Sequence, residues 1–233
     1  MSEWWTYTLS DFLMFSSRTY YRMLERHNEA VWPAQILALG AGLAILLLLR
    51  RDTAPRGRII AVVLAALWAW TSWSFLWERY GVINRAAAIA APAFALEASA
   101  LVWVGAVRDR LHFTVGRDPA ALLSLTMLVG ALVLYPLLPT LFGRPWRQAE
   151  VFGLAPDPTT VATVGLLLLA RCRHRWMLLV VPLLWCAVSA ATLYALGAAE
   201  AVVPAAAAVV AVGAPWLPPR PRGADRTSAT DAG

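Results

Sequence analysis

The sequence has little charge, no lysine and only two cysteines, and each shortage excludes something. Charged residues make up 15% of the 233-residue chain and hydrophobic residues 60%, whereas a soluble domain has about 25% charged and roughly 45–50% apolar residues. All 20 basic residues are arginine, and they form short clusters between apolar runs. Such clusters are typical of membrane orientation signals, so the net charge of +6 does not indicate a nucleic-acid partner.

Motifs for metal, disulfide and enzyme chemistry are also absent. Cys172 and Cys186 have neither a CxxC nor a Cys/His ligand spacing, so the sequence predicts no disulfide, no metal site and no cofactor. It contains no nucleophile elbow, phosphate-binding loop, dinucleotide fingerprint or HExxH helix. We therefore expect that the protein is not an enzyme. A membrane enzyme acting on lipid or quinone is the least favoured alternative.

Long apolar runs are what the sequence has in abundance. A membrane-spanning helix needs about 20 mainly apolar residues. Six runs meet this length, and a seventh, 158–170, is too short to span unaided. The predicted fold class is therefore all-α, a polytopic transmembrane helical bundle of about seven spans. The six clear runs are 31–49, 59–77, 86–107, 120–142, 176–196 and 199–217.

The arginines also predict an orientation. With the runs numbered in chain order, so that 158–170 is the fifth, 13 of the 20 arginines fall in the loops after the first, third and fifth runs and in the tail after the seventh. Because cytoplasmic loops are enriched in arginine, we expect the N-terminus outside and the C-terminus in the cytoplasm. The predicted location is the inner (plasma) membrane of a bacterium, with the lipid bilayer as the main partner.

Two segments flank the predicted bundle of residues 31–217. Residues 1–30 are rich in aromatic and charged side chains and lack the basic start of a signal peptide, which is typical of a segment in the headgroup region. Ser16 or Ser17 is predicted to cap a short helix up to about Asn28. This segment is either a plain anchor or a lid or docking surface. Residues 218–233 are predicted to be a disordered cytoplasmic tail.

Glu97 is the charged residue most unlike its surroundings, since it lies near the middle of the third run. A carboxylate at that depth costs a few kcal/mol, roughly, and normally faces protein or water. It is either a coupling site for protons or cations or a protonated, hydrogen-bonded acid. A stripe of small residues on the same run predicts close helix packing on a different face. The stripe consists of Ala87, Ala91, Ala95 and Ser99.

Residues 151–160 form the most organised motif. Two prolines bracket Asp157, which predicts an extended chain followed by a helix with Asp157 as N-cap and Pro158 at its first position. The segment is either a broken helix of the kind that forms substrate sites in transporters or a tight extracellular loop. Trp73 shares a helical face with Trp70 and Trp77. This face either lines an aromatic cavity or is exposed to lipid. The predicted substrate-binding residues are Glu97, Phe152, Gly153, Pro156, Asp157, Pro158, Thr159, Thr160 and Trp73.

Several stretches of the chain resemble a family of uncharacterised bacterial multi-pass membrane proteins, a domain of unknown function. The resemblance covers most of the chain and implies no activity. The family usually has a Pro-Cys-Pro-Thr-Thr core, where this chain has Asp157 in place of the cysteine. The similar stretches are 2–7, 11–12, 18–21, 81–84, 152–160 and 182–185.

These observations favour two functions. The first is a small-solute or ion transporter or channel, in which Glu97 acts as a midplane acid beside the broken segment. The second is an accessory or assembly subunit of a membrane complex, with a membrane protein partner or a second copy of the chain. Small size, the absence of a catalytic motif and the aromatic N-terminal segment favour the second.

Overall fold

The computed structural model describes residues 15–51, 53, 55–116, 118–172 and 174–213. This part of the chain forms eight helices and one pair of two-residue strands, so the predicted all-α class is confirmed. The predictions for residues 1–14 and for the tail 218–233 lie outside the described residues. The helices are α1 (Ser17–Ala30), α2 (Ala34–Arg50), α3 (Arg56–Ile83), α4 (Arg85–Val107), α5 (Pro119–Leu141), α6 (Pro156–Leu169), α7 (Arg175–Ala195) and α8 (Ala199–Gly213).

Four of the eight helices are long and apolar enough to cross a membrane, namely α3, α4, α5 and α7. A fifth candidate is the pair α1 and α2, which meet at a bend of 87°. Helices α6 and α8 are shorter, and α6 has 14 residues. The helical bundle is therefore confirmed, whereas the count of seven spans and the orientation stay predictions.

Helix α6 lies in the centre of the bundle. Every side chain of residues 156–167 is buried, and α3, α5, α7 and α8 all contact it. It packs closely against α5, because a Cβ added to Gly165 would lie 2.6 Å from the carbonyl oxygen of Ser124. A helix enclosed by protein can carry threonines and a carboxylate, since other helices rather than lipid surround it. This explains why run 158–170 is both short and polar.

The loops meet at two opposite ends of the bundle. At one end, strands β1 (His112–Phe113) and β2 (Ala170–Arg171) pair antiparallel. There Arg56 donates to the Phe113 carbonyl at 2.7 Å, and Arg58 lies 3.1 Å from Asp109. We call this the arginine end. It brings together described residues of the loops after α2, α4 and α6, which are the loops predicted to be cytoplasmic.

Helix α1 lies at the opposite end, which we call the α1 end. Ser16 is its N-cap and accepts from the backbone N–H of Thr19, as predicted. Its buried residues Tyr20, Met23, Leu24 and His27 recur at helical spacing, which is the pattern of an amphipathic helix packed on protein. The Asn28 amide donates to the carbonyls of Arg147 and Ala149, so α1 is fixed to the loop between α5 and α6.

The packing face of α4 differs from the predicted one. Of the small-residue stripe, Ala87 and Ala91 are buried, but Ala95 and Ser99 are exposed. Glu97 lies on the buried face instead, together with Phe94, Ala98 and Leu101. Large side chains fill this contact, so the expectation that the acid and the packing surface occupy different faces of α4 was wrong.

Candidate functional site

A short non-helical turn leads into the central helix. The backbone N–H groups of Leu154 and Ala155 both donate to the Val151 carbonyl, and Gly153 has a φ of 78°, which glycine adopts without steric cost. Side-chain hydroxyls complete its hydrogen bonds, because Gly153 N–H donates to Thr159 and the Gly153 carbonyl accepts from Thr71. Non-helical backbone is therefore buried here with its polar groups satisfied.

Helix α6 begins two residues earlier than predicted. Its N-cap is Ala155, with extended backbone, and Pro156 is the first helical residue. The expected N-cap role of Asp157 was therefore wrong. The physical reason is that Pro156 and Pro158 have no N–H, so the first turn has fewer donors that need a cap. This leaves the Asp157 side chain available for contacts with another helix.

The Asp157 carboxylate is held by two donors from α7. Trp185 Nε1 donates to Oδ1 at 2.7 Å, and the Ser189 hydroxyl donates to Oδ2. Trp185 and Ser189 are four residues apart and therefore share one helical face. Asp157 is 2% exposed. Since a carboxylate oxygen can accept two hydrogen bonds, each oxygen retains capacity for one more partner.

The three threonines of α6 serve the protein's own structure. Thr159 donates to the Ala155 carbonyl, Thr160 to the Asp157 carbonyl and Thr163 to the Thr159 carbonyl. Each also accepts a hydrogen bond, from Gly153 N–H, the Cys186 thiol and Trp68 Nε1 respectively. Their hydroxyls are occupied, so we expect no direct contact between Thr159 or Thr160 and a ligand.

Asp157 lies in the wall of a cavity of about 310 Å³ at the α1 end. The cavity is lined by residues of α1, α3, α4, α6 and α7 and by Asn84 between α3 and α4, and most of its lining is apolar. Phe94 and Trp185 contact each other edge to face, with ring centroids 5.2 Å apart. Its aromatic members are Tyr20, Tyr80, Phe94 and Trp185, and its polar side chains besides Asp157 are Asn84, Ser189 and Thr192.

A second, much smaller cavity of about 20 Å³ also has Asp157 in its lining. Its other polar side chains are Tyr21, Tyr135, Arg144, Gln148, Glu150 and Glu200. Arg144 forms an ion pair with Glu200, and its guanidinium lies 3.8 Å from the centre of the Tyr21 ring. This cluster joins the loop between α5 and α6 to the beginning of α8.

Glu150 links the two cavities. Its Oε1 accepts from the Tyr20 hydroxyl at 3.2 Å, and Tyr20 itself lines the larger cavity. Burial raises the pKa of the Glu150 carboxyl well above its ordinary value. The nearby Asp157 carboxylate raises this pKa further, while the Tyr20 hydrogen bond and the Arg144 charge oppose the rise. Two acids that line the smaller cavity thus interact electrostatically.

The structure separates the predicted site residues. Asp157 lines both cavities, whereas Phe152, Pro156 and Pro158 are buried but are absent from the lining of either. Trp73 is 62% exposed on the outer face of α3, so it does not line the cavity at Asp157.

Glu97 lies apart from both cavities. It is 2% exposed, and its Oε1 has no hydrogen-bond partner among the described residues. It lies almost one turn beyond Phe94 on α4 and does not line the cavity at Asp157. Its role in binding stays a prediction.

Sequence reasoning missed most of the residues that surround Asp157. Trp185 and Ser189 lie inside an apolar run, and their spacing of four was the one signal that could have paired them. The partners from other elements, Tyr20, Tyr80, Tyr135, Arg144, Glu150 and Glu200, left no local signal. Within the described ranges, no group of three His, Cys, Asp or Glu side chains comes together as a metal ion would need. The prediction that the protein has no cofactor stays a prediction.

Four to five helices of the described residues are long and apolar enough to span a membrane, which indicates a helical membrane protein. Comparison with protein families then gives a specific assignment. The chain belongs to the family of unknown function DUF6064, which matches residues 17–216. Comparisons with curated proteins and with solved structures gave no match.

Proposed function

We propose that this chain is a small multi-pass transporter that binds a cationic, largely apolar solute in the cavity at Asp157. The observation that carries the proposal is the Asp157 carboxylate, buried in the wall of a mostly apolar cavity of about 310 Å³. This volume is at the lower end of the range for ligand pockets, roughly 300–1,000 Å³. A small organic amine or quaternary ammonium ion fits such a space.

The charge of the solute follows from the energetics of the carboxylate. An ionised carboxylate away from water is costly unless a positive charge or hydrogen bonds compensate it. Trp185 and Ser189 supply two hydrogen bonds but no charge. A solute cation supplies the missing charge, and the aromatic rings of Tyr20, Tyr80 and Phe94 stabilise a cation further. The apolar lining accommodates the uncharged part of the solute.

The proposal includes the number of spans, the orientation and the location that the sequence predicts. It takes α2 to α8 as seven crossings, with the α1 end outside and the arginine end in the cytoplasm of a bacterial inner membrane. The clustering of three loops at the arginine end supports this arrangement. Under the proposal, Tyr20 places α1 over the cavity as a lid rather than as a plain anchor. Glu97 then serves as a packing residue or as a second acid deeper in the bundle.

A binding experiment with a charged probe and its neutral isostere tests the proposal. Purified protein is mixed with benzyltrimethylammonium or with neopentylbenzene, and binding is measured by native mass spectrometry and thermal stabilisation. We expect the wild type to bind the cation, and Asp157→Asn to bind it at least tenfold more weakly. The neutral isostere should bind weakly to both proteins.

Asp109→Asn is the matched control. Asp109 lies at the arginine end, is paired with Arg58 and has a φ of 48°, which asparagine tolerates well. It should bind the cation as the wild type does, as should Glu97→Gln if Glu97 only packs. Equal cation binding by wild type and Asp157→Asn would refute the proposal. A stoichiometric protein partner that co-purifies with every variant would favour the accessory-subunit function instead.

A further inference from the structure

The smaller cavity beside Asp157 contains an unusual group of buried polar atoms. Among the described residues, no group hydrogen-bonds to Tyr135 Oη, Arg144 Nη1 or Glu150 Oε2. All three side chains line the same space of about 20 Å³. Buried polar groups are nearly always paired with protein or ordered water, because an unpaired one costs about 1–3 kcal/mol. Three such atoms around one space therefore indicate a shared partner.

The size and chemistry of the space identify that partner. A cavity needs about 10–15 Å³ to hold one water molecule, which in turn needs two to four polar partners, roughly. Arg144 Nη1 is a donor, Glu150 Oε2 is an acceptor when ionised, and Tyr135 Oη is both. A metal cation would have to bind beside the Arg144 guanidinium, which repels it. A water molecule can satisfy all three atoms.

We infer that one water molecule bridges Tyr135, Arg144 and Glu150, and that it passes a proton between the Glu150 and Asp157 carboxyl groups. The proton leaves the protonated Glu150 carboxyl for the water, and the water releases another proton to the Asp157 carboxylate. The net result is an ionised Glu150 and a protonated Asp157, and no electrons are transferred. The same path runs in reverse when Asp157 loses its proton.

The charges around this path favour a single shared proton. Glu200 is neutralised by Arg144, so Glu150 and Asp157 are two further acids with no second cation among the side chains that line the space. Two neighbouring carboxylates resist simultaneous ionisation, and a pair of this kind titrates as one unit. The titratable and charged groups that face the pair are Tyr20 and Tyr21 from α1, Tyr80 from α3, Tyr135 from α5, Arg144 from the following loop, Cys186 from α7 and Glu200 at the start of α8.

Under the proposed transport function, the proton that moves along this path is the ion coupled to solute binding. Tyr20, Arg144 and Glu150 lie at the α1 end, where the Tyr20 hydroxyl donates to Glu150. If a solute cation binds the Asp157 carboxylate, as the proposed function requires, the proton displaced from Asp157 leaves through Glu150. This step rests on the proposed function, whereas the shared proton and its bridging water do not.

Infrared difference spectroscopy of the solute-free protein in lipid nanodiscs tests the inference. Spectra recorded across a pH titration report protonated carboxyl groups and, after exchange into oxygen-labelled water, internal water molecules. We expect the wild type to show two coupled carboxyl titrations and a bound-water band that shifts with the oxygen label. Glu150→Gln and Asp157→Asn should each reduce the two titrations to a single one.

Tyr135→Phe removes one partner of the water while retaining the ring. It should abolish or shift the bound-water band and slow proton exchange of the carboxyl pair at least several-fold. The matched controls are Tyr194→Phe and Glu78→Gln, since both side chains are exposed. Independent titration of the two carboxyls, or a water band unchanged in Tyr135→Phe, would overturn the inference. Because no solute is present, these outcomes are distinct from a failure of the cation-binding test.

Discussion

Helices α6 and α4 each carry a buried carboxyl group, yet the surroundings of the two groups differ. On α6, Asp157 is bonded to Trp185 and Ser189 and lies in the wall of a cavity. On α4, Glu97 is equally buried, has one oxygen without a partner in the described part of the chain, and is absent from that cavity. Both acids are therefore buried. They differ because Asp157 accepts hydrogen bonds from a neighbouring helix and borders a cavity, whereas Glu97 does not line that cavity.

The difference follows from where each helix lies. Helix α6 is surrounded by protein on all sides, so each of its polar side chains has another helix or turn within reach. Helix α4 is buried on one face only, with Leu96 69% exposed beside the buried Glu97. A buried acid is a better indication of a binding site when neighbouring elements supply both its donors and a space for a ligand.

The largest expected effect comes from removing the Asp157 carboxyl. Asp157→Ala leaves the Trp185 N–H and the Ser189 hydroxyl without their acceptor, which should destabilise the protein by roughly 2–5 kcal/mol. Asp157→Asn retains an acceptor for Trp185 and should cost far less. Glu97→Met removes a group with an unpaired oxygen and should be neutral or stabilising. Thermal unfolding in detergent measures all three, and a Glu97→Met loss as large as that of Asp157→Ala would remove the contrast.

A second prediction concerns the close packing of α6. In Gly165→Ala the new Cβ would lie 2.6 Å from the Ser124 carbonyl oxygen and 3.1 Å from Leu128 N, both backbone atoms of α5. Helix α6 must shift, at an expected cost of roughly 1–3 kcal/mol. Gly130→Ala is the matched control, because a Cβ there meets nothing within 4 Å. Equal melting temperatures for the two variants would show that α6 is held less tightly than its burial indicates.

The comparison also shows what could be predicted from the sequence. Apolar runs of sufficient length predicted most of the helices, and a cap at Ser16 or Ser17 was predicted where Ser16 is the N-cap, because both features depend on neighbouring residues. The central position of α6 could not be predicted, since no local feature of run 158–170 shows that protein rather than lipid surrounds the helix. The partners of its acid cluster are also remote, as Tyr20 and Glu150 are 130 residues apart. The two flanking prolines therefore marked Asp157 itself, while its partners from other elements had no local signal.

A third prediction uses the pH dependence of stability to examine the environment of α6. The raised pKa of Glu150 means that the folded protein keeps this proton at pH values where the unfolded chain, with a pKa of about 4.3, has lost it. Its contribution to stability is therefore fully present below that pH and is lost as pH rises through the folded-state pKa. Melting temperatures measured against pH should fall less steeply in Glu150→Gln than in the wild type. Glu78→Gln, at an exposed residue, should follow the wild type.

The smallest effect is expected on the outer face of α3, where the sequence placed Trp73 as a candidate for binding. Trp73 is 62% exposed, while Trp68 on the same helix is fully buried and donates to Thr163 of α6 at 2.8 Å. Trp68→Phe should cost about 1 kcal/mol through the lost hydrogen bond, and Trp73→Ala should change stability by less than about 0.5 kcal/mol. Cation binding should also be unchanged in Trp73→Ala, since its ring lies outside the cavity at Asp157. A tenfold loss of benzyltrimethylammonium binding in that variant would instead mean that the exposed face of α3, formed by Trp70, Trp73 and Trp77, takes part in binding.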